Sequence, residues 1–585
     1  MAGKLTWKLF PGSIFRMSKK ISYIFAFFAF VSLVLEYGFP WGNQGIINLH
    51  FFQLFLAFFF IVEILTLLYK GSYRRDTWKA NIAEAISLFV FFILLLSFLF
   101  LLRSSHATYI VKLPHFLVPT PFFIPVQIYL ALQILVKASD LPRILVHLPL
   151  KPGQVVVITY LGIIVLGTFL LSLPQAYGRG YIPLIDRLFT ATSATCVTGL
   201  SVLDISTAFT RFGQSVILFL IQVGGLGLVT FVSFFALIMG RGIGIRERAL
   251  LKDVLDYDMV GELGKVVLTV LLTTLFVEAI GTFALARIFA AYPQSVPSPY
   301  FFALFHSVSA FCNAGFSLFS NSLQNFRDST SINLIFAALI IIGGLGFVVL
   351  MDIFKFFNKK IHRRFVVLSI HSRLVLLTTA ILVISGFFFL MWINYDSSLS
   401  LKGRILTSFF QSVTARTAGF STIEISKLNP AAQLFIIFLM FVGASPGSTG
   451  GGIKTSTFAV VIITIFSYLR GKDKVEVWHR TLPSGLVHKI IAVVSFAFFI
   501  IFSSTFLLLL VEGKSFLPTF FEVVSAFGTV GLSHGITSDF SFLGKIILMV
   551  TMLLGRIGPL TLALAVGPTG KKVKYTYPEE KVVVG

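Results

Sequence analysis

Four stretches of this sequence share one pattern: LFTATSATCVTGLS, LFHSVSAFCNAGFS, SFFQSVTARTAGFS and FFEVVSAFGTVGLS. They align on Gly199, Gly315, Gly419 and Gly531. A Phe stands ten residues before each glycine (Phe189, Phe305, Phe409, Phe521) and a Ser two residues after it (Ser201, Ser317, Ser421, Ser533). The residues leading into the glycines are Cys196-Val197-Thr198-Gly199, Cys312-Asn313-Ala314-Gly315, Arg416-Thr417-Ala418-Gly419 and Gly528-Thr529-Val530-Gly531. No carboxylate occurs among them, so the available ligands are backbone carbonyls. Rings of carbonyls can replace the hydration shell of a cation. Aiming several at one axis needs dihedral angles that glycine reaches freely. The glycines lie 116, 104 and 112 residues apart. A period above a hundred residues points to a duplicated unit, and four such units can surround a central axis.

Two further features carry chemistry. The run from Gly443 to Lys454 contains Gly443, Gly447, Gly450, Gly451 and Gly452 with Pro446 among them. No continuous helix tolerates that density of Gly and Pro, so a break is expected there, and a flexible constriction below the glycines is the functional reading. Arg556 stands in an apolar helix, where a charge is costly and ordinarily faces a partner inside the bundle. Arg556 and the loop with Lys454 are the expected gate.

The elements that position these residues follow from composition. The chain has 585 residues, 56% of them hydrophobic and 12% charged, with a mean hydropathy of +0.92. This is the profile of a polytopic membrane protein. Four spans are expected at about 21–39, 50–69, 84–102 and 121–140. A triplet of long helix, short amphipathic segment and second long helix then occurs four times. The first helices fall at about 153–173, 264–290, 374–395 and 488–511. The short segments fall at about 185–198, 300–314, 404–418 and 517–530, and the second helices at about 213–239, 332–357, 431–469 and 543–567. The short segments cannot span, and non-helical backbone at that depth must be buried in protein or line water. A half-helix that enters, turns at a glycine and leaves meets this condition, and its C-terminal dipole end favours a cation.

The expected fold is therefore an all-α integral membrane protein. Four units of long helix, pore helix and long helix share fourfold pseudo-symmetry around a central pore, after a four-helix extension. The boundaries are 1–150 for the extension, 151–258, 259–368, 369–484 and 485–569 for the units, and 570–585 for a cytoplasmic tail. Of the 47 Lys and Arg, 32 fall in alternate connecting segments, a positive-inside pattern that places both termini in the cytoplasm. The net charge of +23 then meets acidic lipid headgroups rather than nucleic acid.

These motifs resemble the Trk/Ktr/HKT superfamily of cation transporters, its KtrB and TrkH members most closely, over about residues 150–585. The ending YPEEKVVVG contributes to the likeness. The resemblance implies a potassium pathway in the cell membrane, because glycine in the first unit accompanies potassium selectivity in that superfamily. It also implies that the 443–454 run is an intramembrane gate loop with an arginine beside it, and a homodimer on a cytosolic ring of nucleotide-binding RCK subunits of the KtrA/TrkA kind. One departure is Ala415, where a proline would be expected. No phosphate-binding glycine motif occurs in the chain itself, so no cofactor is expected beyond the permeant potassium, with nucleotide only on a separate subunit.

Other readings remain open. A sodium- or proton-coupled symporter would need intramembrane carboxylates, for which Glu278, Asp352 and Glu63 are the candidates. Asp186, Asp204, Glu424 and Glu522 lie where they could concentrate cations at an external mouth. An enzyme would need a convergent catalytic set, and His306 stands alone on its segment, so none is expected. Cys196 and Cys312 share a register, and a small polarizable wall is the expected role rather than a disulfide. The run from Glu63 to Trp78 is similar to the second-to-third helix region of voltage-sensor-type domains. The fourth helix offers only Lys137, so strong voltage sensing is not expected, and a sensor role for the bundle is an alternative.

Overall fold

The computed structural model describes residues 12–71, 88–89, 91–93, 96, 123–138, 151–178, 180–227, 263–292, 296–361, 367–393, 400–472, 474–558 and 561. The connections at 228–262, the expected tail at 570–585, most of the expected span at 84–102 and the run from Tyr73 to Trp78 lie outside them. Among the described residues, six helices are long and apolar enough to cross a membrane, or seven if one bent pair counts as a single span. Strand is confined there to one two-residue hairpin, Glu476–Val477 with Arg480–Thr481.

The N-terminal part contains α1 (Gly12–Gly38), α2 (Asn43–Gly71) and α3 (Ile124–Ala138). They share a small core around Leu56, Phe60, Tyr129 and Leu130. Several polar side chains buried in that core are paired, which offsets the cost of burying them. Glu36 accepts from Gln53 at 2.6 Å and Gln127 at 2.7 Å, and His50 lies 2.9 Å away. Glu63 pairs with Lys137 at 3.2 Å. The end of α1 is fastened to unit one, where the Gln175 amide donates to Gly38 O at 3.0 Å.

Unit one comprises α4 (Pro152–Leu171), α5 (Leu184–Thr195) and α6 (Arg211–Leu226). Unit two comprises α7 (Leu263–Phe289), α8 (Pro299–Phe311), α9 (Thr330–Leu345) and α10 (Phe347–Ile361). Unit three has α11 (Ile370–Ile393), α12 (Leu401–Thr414), α13 (Pro430–Phe441) and α14 (Thr455–Leu469), and unit four has α15 (Ser484–Glu512), α16 (Phe516–Gly528) and α17 (Phe542–Ile557). Local sequence starts these helices where it should: Pro152, Pro299 and Pro430 occupy first-turn positions. Thr210, Ser400, Asn429 and Ser541 cap their helices with side-chain oxygens.

Two of the expected second helices are interrupted. In unit three the break separates α13 from α14, as the Gly and Pro density requires. In unit two the helix expected over 332–357 bends by 99° between Leu345 and Phe347. The pivot is Gly346, whose φ of +87° ends α9 in a conformation open to glycine.

The units close into a ring. Each second helix packs on the short helix of the next unit: α6 on α8, α9 on α12, α13 on α16, and α17 back on α5. One large core joins units one and two, and a second joins units three and four and takes in Phe189, Cys196 and Leu200 of unit one.

Candidate functional site

Each short helix ends three to five residues before its glycine, and an extended segment follows, termed the glycine strand although it pairs in no sheet. In every strand two residues have left-handed φ: the glycine itself (Gly199 +88°, Gly315 +70°, Gly419 +78°, Gly531 +91°) and the residue two before it (Val197 +56°, Asn313 +58°, Thr417 +70°, Thr529 +48°). A positive φ is rare for any non-glycine residue and rarest for β-branched ones such as Val197, Thr417 and Thr529. Its recurrence in four strands means that the surroundings impose it. The intervening Thr198, Ala314, Ala418 and Val530 keep negative φ. Alternating the hand in this way turns successive carbonyls toward one side, whereas a β-strand sends them to alternate sides.

The four glycines meet. A Cβ placed on Gly199 would stand 3.1 Å from Gly315 Cα, and one on Gly315 would stand 3.0 Å from Gly419 Cα. One on Gly419 would stand 3.1 Å from Gly531 Cα, and one on Gly531 would stand 3.0 Å from Gly199 Cα. Against each glycine lies the carbonyl oxygen of the residue preceding a neighbouring glycine: Ala314, Ala418, Val530 and Thr198 in turn. The strands are braced from behind by hydroxyls at the ends of the short helices. Ser193 and Ser525 accept from the amides of Gly199 and Gly531, each at 3.1 Å. Ser309 donates to Phe316 O at 2.8 Å and Thr414 to Phe420 O at 2.6 Å.

The side chains of the strands are enclosed by protein. Cys196, Val197, Thr198, Cys312, Asn313, Ala314, Thr417, Ala418, Thr529 and Val530 are fully buried. Arg416 reaches back to Gly443 O at 3.4 Å. Ala415 caps α12 in ordinary helical geometry, so the absent proline leaves no distortion. Both cysteines are free and buried, with Cys312 Sγ 3.8 Å from carboxylate and amide oxygens of Glu278 and Gln222.

The interruption at residues 442–454 lies directly against two of the strands and the C-terminal end of α8. The Gly451 amide donates to Thr529 Oγ1 at 3.0 Å. A Cβ on Gly450 would strike the Thr417 side chain. The Thr449 hydroxyl lies 3.2 Å from both Phe311 O and Gly343 O. The bend of unit two supports the same loop, since Phe347 N donates to Gly447 O and Ser445 N to Gly344 O, both at 3.0 Å. Its ends are drawn together by the bond from Gly443 N to Ile453 O at 2.9 Å, and Lys454 Nζ donates to Gly450 O at 2.7 Å.

Arg556 supplies the contact with unit one. Its guanidinium donates to the carbonyls of Thr449 and Gly224, to Gly225 O at 3.3 Å and to Tyr160 Oη at 3.3 Å. Loop, last helix and unit one are thus joined through one side chain. No charged partner is needed: helix-end and loop carbonyls satisfy the guanidinium.

Sequence reasoning missed the glycines that seat the second helices. Gly224, Gly343 and Gly555 press on Thr195, Phe311 and Phe527, each four residues before its unit's aligned glycine. Gly227, Gly346 and Gly558, three residues further on, all have positive φ. The signal was present as Gly-Gly-Leu-Gly at 224–227 and 343–346 and Gly-Arg-Ile-Gly at 555–558. Arg556 therefore occupies the register of Gly225 and Gly344.

The carboxylates expected at a mouth are engaged. Asp186 pairs with Lys545 at 2.6 Å, and Glu424 with Lys427 at 2.6 Å. Glu522 is fully buried and accepts from Ser533, His534 N and Thr537. Asp204 caps a short helix at Ser206; partial burial pushes its carboxyl up, but hydrogen bonds from Ser320 and Ser206 outweigh this and hold it below the usual value. Of the symporter candidates, Glu278 accepts from Gln222 at 3.2 Å, Asp352 from the Ser369 amide at 3.0 Å, and Glu63 pairs with Lys137.

A ring of membrane-length helices around four short helices, each turning at a glycine, is the architecture of an integral membrane transport protein. The model of the TrkH family, described as cation transport protein, matches residues 152–575, and the chain belongs to that family. It is 38% identical to the "Ktr system potassium uptake protein B" of Bacillus subtilis over 442 residues, 74% of this chain and 97% of that protein. It is likewise 38% identical to the protein of that name from Vibrio alginolyticus, over 74% of this chain and 94% of that protein, and 34% identical to the "Potassium/sodium uptake protein NtpJ" of Enterococcus hirae, over 74% and 98%. The fold is shared with the crystal structure of the potassium transporter TrkH from Vibrio parahaemolyticus, at a TM-score of 0.58 and 18% identity over 89% of this chain and 98% of that one. That share exceeds what residues 152–585 can supply, so the likeness extends into the N-terminal helices. The family is one of transporters, not enzymes.

Proposed function

We infer that this chain is a potassium uptake pathway of the cell membrane, with the four strands as a carbonyl filter in fourfold pseudo-symmetry. The observation that carries this reading is the closed ring of Gly199, Gly315, Gly419 and Gly531, with left-handed φ at two matched positions in each strand. The names of the relatives from Bacillus subtilis and Vibrio alginolyticus support potassium as the ion. The short helices enter from outside, and both termini lie in the cytoplasm. Transport runs down the electrochemical gradient. The loop from Gly443 to Lys454 together with Arg556 is the gate on the cytoplasmic side, a reading that the contacts of Thr449, Gly451 and Arg556 support. The active form is a homodimer controlled by a cytosolic nucleotide-binding subunit of the RCK type; relatives named as components of a "Ktr system" support a partnered assembly.

A second reading, in which sodium also permeates, is favoured by the name of the Enterococcus hirae relative. Tracer flux of rubidium and sodium into proteoliposomes separates the two. Wild type is expected to pass rubidium well above sodium, and Gly199→Ser to lose that preference. Equal fluxes in wild type would overturn potassium selectivity.

A further inference from the structure

The serine two residues past each glycine forms the same turn in all four units. Its Oγ accepts from the amide four residues past the glycine: Leu203 at 3.3 Å, Phe319 at 3.0 Å, Ile423 at 3.3 Å and Gly535 at 2.9 Å. What differs is the destination of the hydroxyl proton. In units one and three, Ser201 and Ser421 donate to the carbonyls of Leu203 and Ile423 within their own turns. In units two and four the hydroxyl turns back to the short helix: Ser317 Oγ lies 3.1 Å from His306 Nε2, and Ser533 donates to Glu522 Oε1 at 2.7 Å.

His306 and Glu522 occupy one register, nine residues before their glycines, where units one and three carry Thr190 and Phe410. Thr190 bonds only within its own helix, to Asp186 O at 2.8 Å, and Phe410 has nothing to bond with. His306 and Glu522 each accept a second bond, from the amide three residues past the glycine: Leu318 N at 3.3 Å and His534 N at 2.8 Å. The opposite ring nitrogen of His306 faces Phe302 O at 2.8 Å, where it can only donate. With Nδ1 donating there and the Leu318 amide donating to Nε2, the ring accepts at Nε2. Glu522 spends its second oxygen on Thr537 Oγ1 at 2.8 Å. Both side chains are fully buried. Because the strands follow each other around the ring in sequence order, the two braced strands stand opposite one another.

We propose that His306 and Glu522 are positioning residues that hold the far ends of two opposite filter strands and thereby set the cation preference of the pathway. The proposal rests on the reading of the four strands as a filter. A carbonyl cage discriminates ions by the spacing and stiffness of its oxygens. A strand end tied to a buried acceptor on a rigid helix has less freedom than one tied only within its own turn.

The test is tracer flux of rubidium and of sodium in proteoliposomes of the full chain, read as their ratio rather than as a rate. His306→Phe and Glu522→Leu remove the acceptor while keeping bulk. Each is expected to lower the rubidium-to-sodium ratio by about fivefold, the equivalent of one ordinary hydrogen bond. His306→Gln and Glu522→Gln keep an acceptor at similar reach and are expected to retain most of it. Thr190→Val and Phe410→Leu, at the unbraced register, are expected to leave the ratio unchanged. Should an apolar variant not fold, His306→Asn and Glu522→Asp, polar but too short to reach residues 317 and 533, take its place with the same expected loss. A wild-type ratio in the folded acceptor-free or shortened variants would overturn the proposal. A wild type without preference would instead overturn the filter reading on which it stands.

Discussion

Arg556, on the last helix of unit four, donates to the carbonyl oxygen of Thr449, in the loop that interrupts unit three. The same guanidinium holds Gly224 and Gly225 of unit one. Thr449 in turn bonds to unit two through Phe311 and Gly343. One pair of residues therefore ties all four units together beside the glycine ring, so anything that separates the pair also loosens the loop's contacts with the other units.

Arg556→Ala is expected to raise basal potassium flux. A hydrogen bond to a charged donor contributes about 1.5–3 kcal/mol, so losing even one shifts a closed–open balance by at least about tenfold. Shortening the loop by removing Gly447 to Gly452 acts on the same balance from the other side and should also raise flux. Rubidium uptake into proteoliposomes, without any added partner, is the measurement. Unchanged or lower flux in well-folded protein from both variants would count against a gate.

The glycine seats make a prediction about stability. A Cβ on Gly343 would lie 3.0 Å from the carbonyl carbon of Phe311, and one on Gly555 would lie 2.7 Å from that of Phe527. Both neighbours are backbone and cannot swing aside. Gly343→Ala and Gly555→Ala are therefore expected to cost about 1–3 kcal/mol each by overpacking. Gly162→Ala, whose Cβ would meet nothing within 4 Å, is the control. Thermal unfolding in detergent should rank the three accordingly.

What the sequence revealed and what it concealed divide along a physical line. The helices were legible because apolar length and Gly or Pro punctuation are local. The segment expected at 517–530 is α16 (Phe516–Gly528), and the break expected at 443–454 separates α13 from α14. Contacts between units were not legible. The bend at Gly346 was missed because Gly-Gly-Leu-Gly within an apolar run reads equally well as a packing surface on a straight helix; it bends because Phe347 and Gly344 bond the loop of another unit. Glu522 was read as an acidic residue near a mouth, yet it is sealed in because Ser533, His534 and Thr537 fold back onto it. His306 was read as standing alone on its segment, but its bonds to residues 317 and 318 follow no helical period that could have announced them.

The pair of Asp186 and Lys545 joins the short helix of unit one to the second helix of unit four at 2.6 Å, with both side chains about nine-tenths shielded. It closes the ring on the side opposite the loop. Removing one partner of such a pair leaves a poorly solvated charge and costs about 3–5 kcal/mol, whereas removing both costs less. Asp186→Asn and Lys545→Met are each expected to destabilise the protein more than the double variant does, as read by a double-mutant cycle on thermal unfolding. Additive losses would mean that the pair contributes nothing to holding units one and four together.

The N-terminal helices carry the last prediction. Lys137 is the basic residue that α3 offers, and it is neutralised by Glu63 of α2 at 3.2 Å, with Ser22 of α1 also bonded to that carboxylate. A voltage sensor works by carrying several unbalanced charges through the field. A paired lysine that is locked to the neighbouring helix carries none. Lys137→Met is therefore expected to lower stability by about 3–5 kcal/mol, through the carboxylate left without its cation. The voltage dependence of the current should not change, and patch recordings of the wild type should yield no gating charge. A gating charge that Lys137→Met abolishes would make this bundle a sensor after all, since Lys137 would then have to part from Glu63 and move through the field.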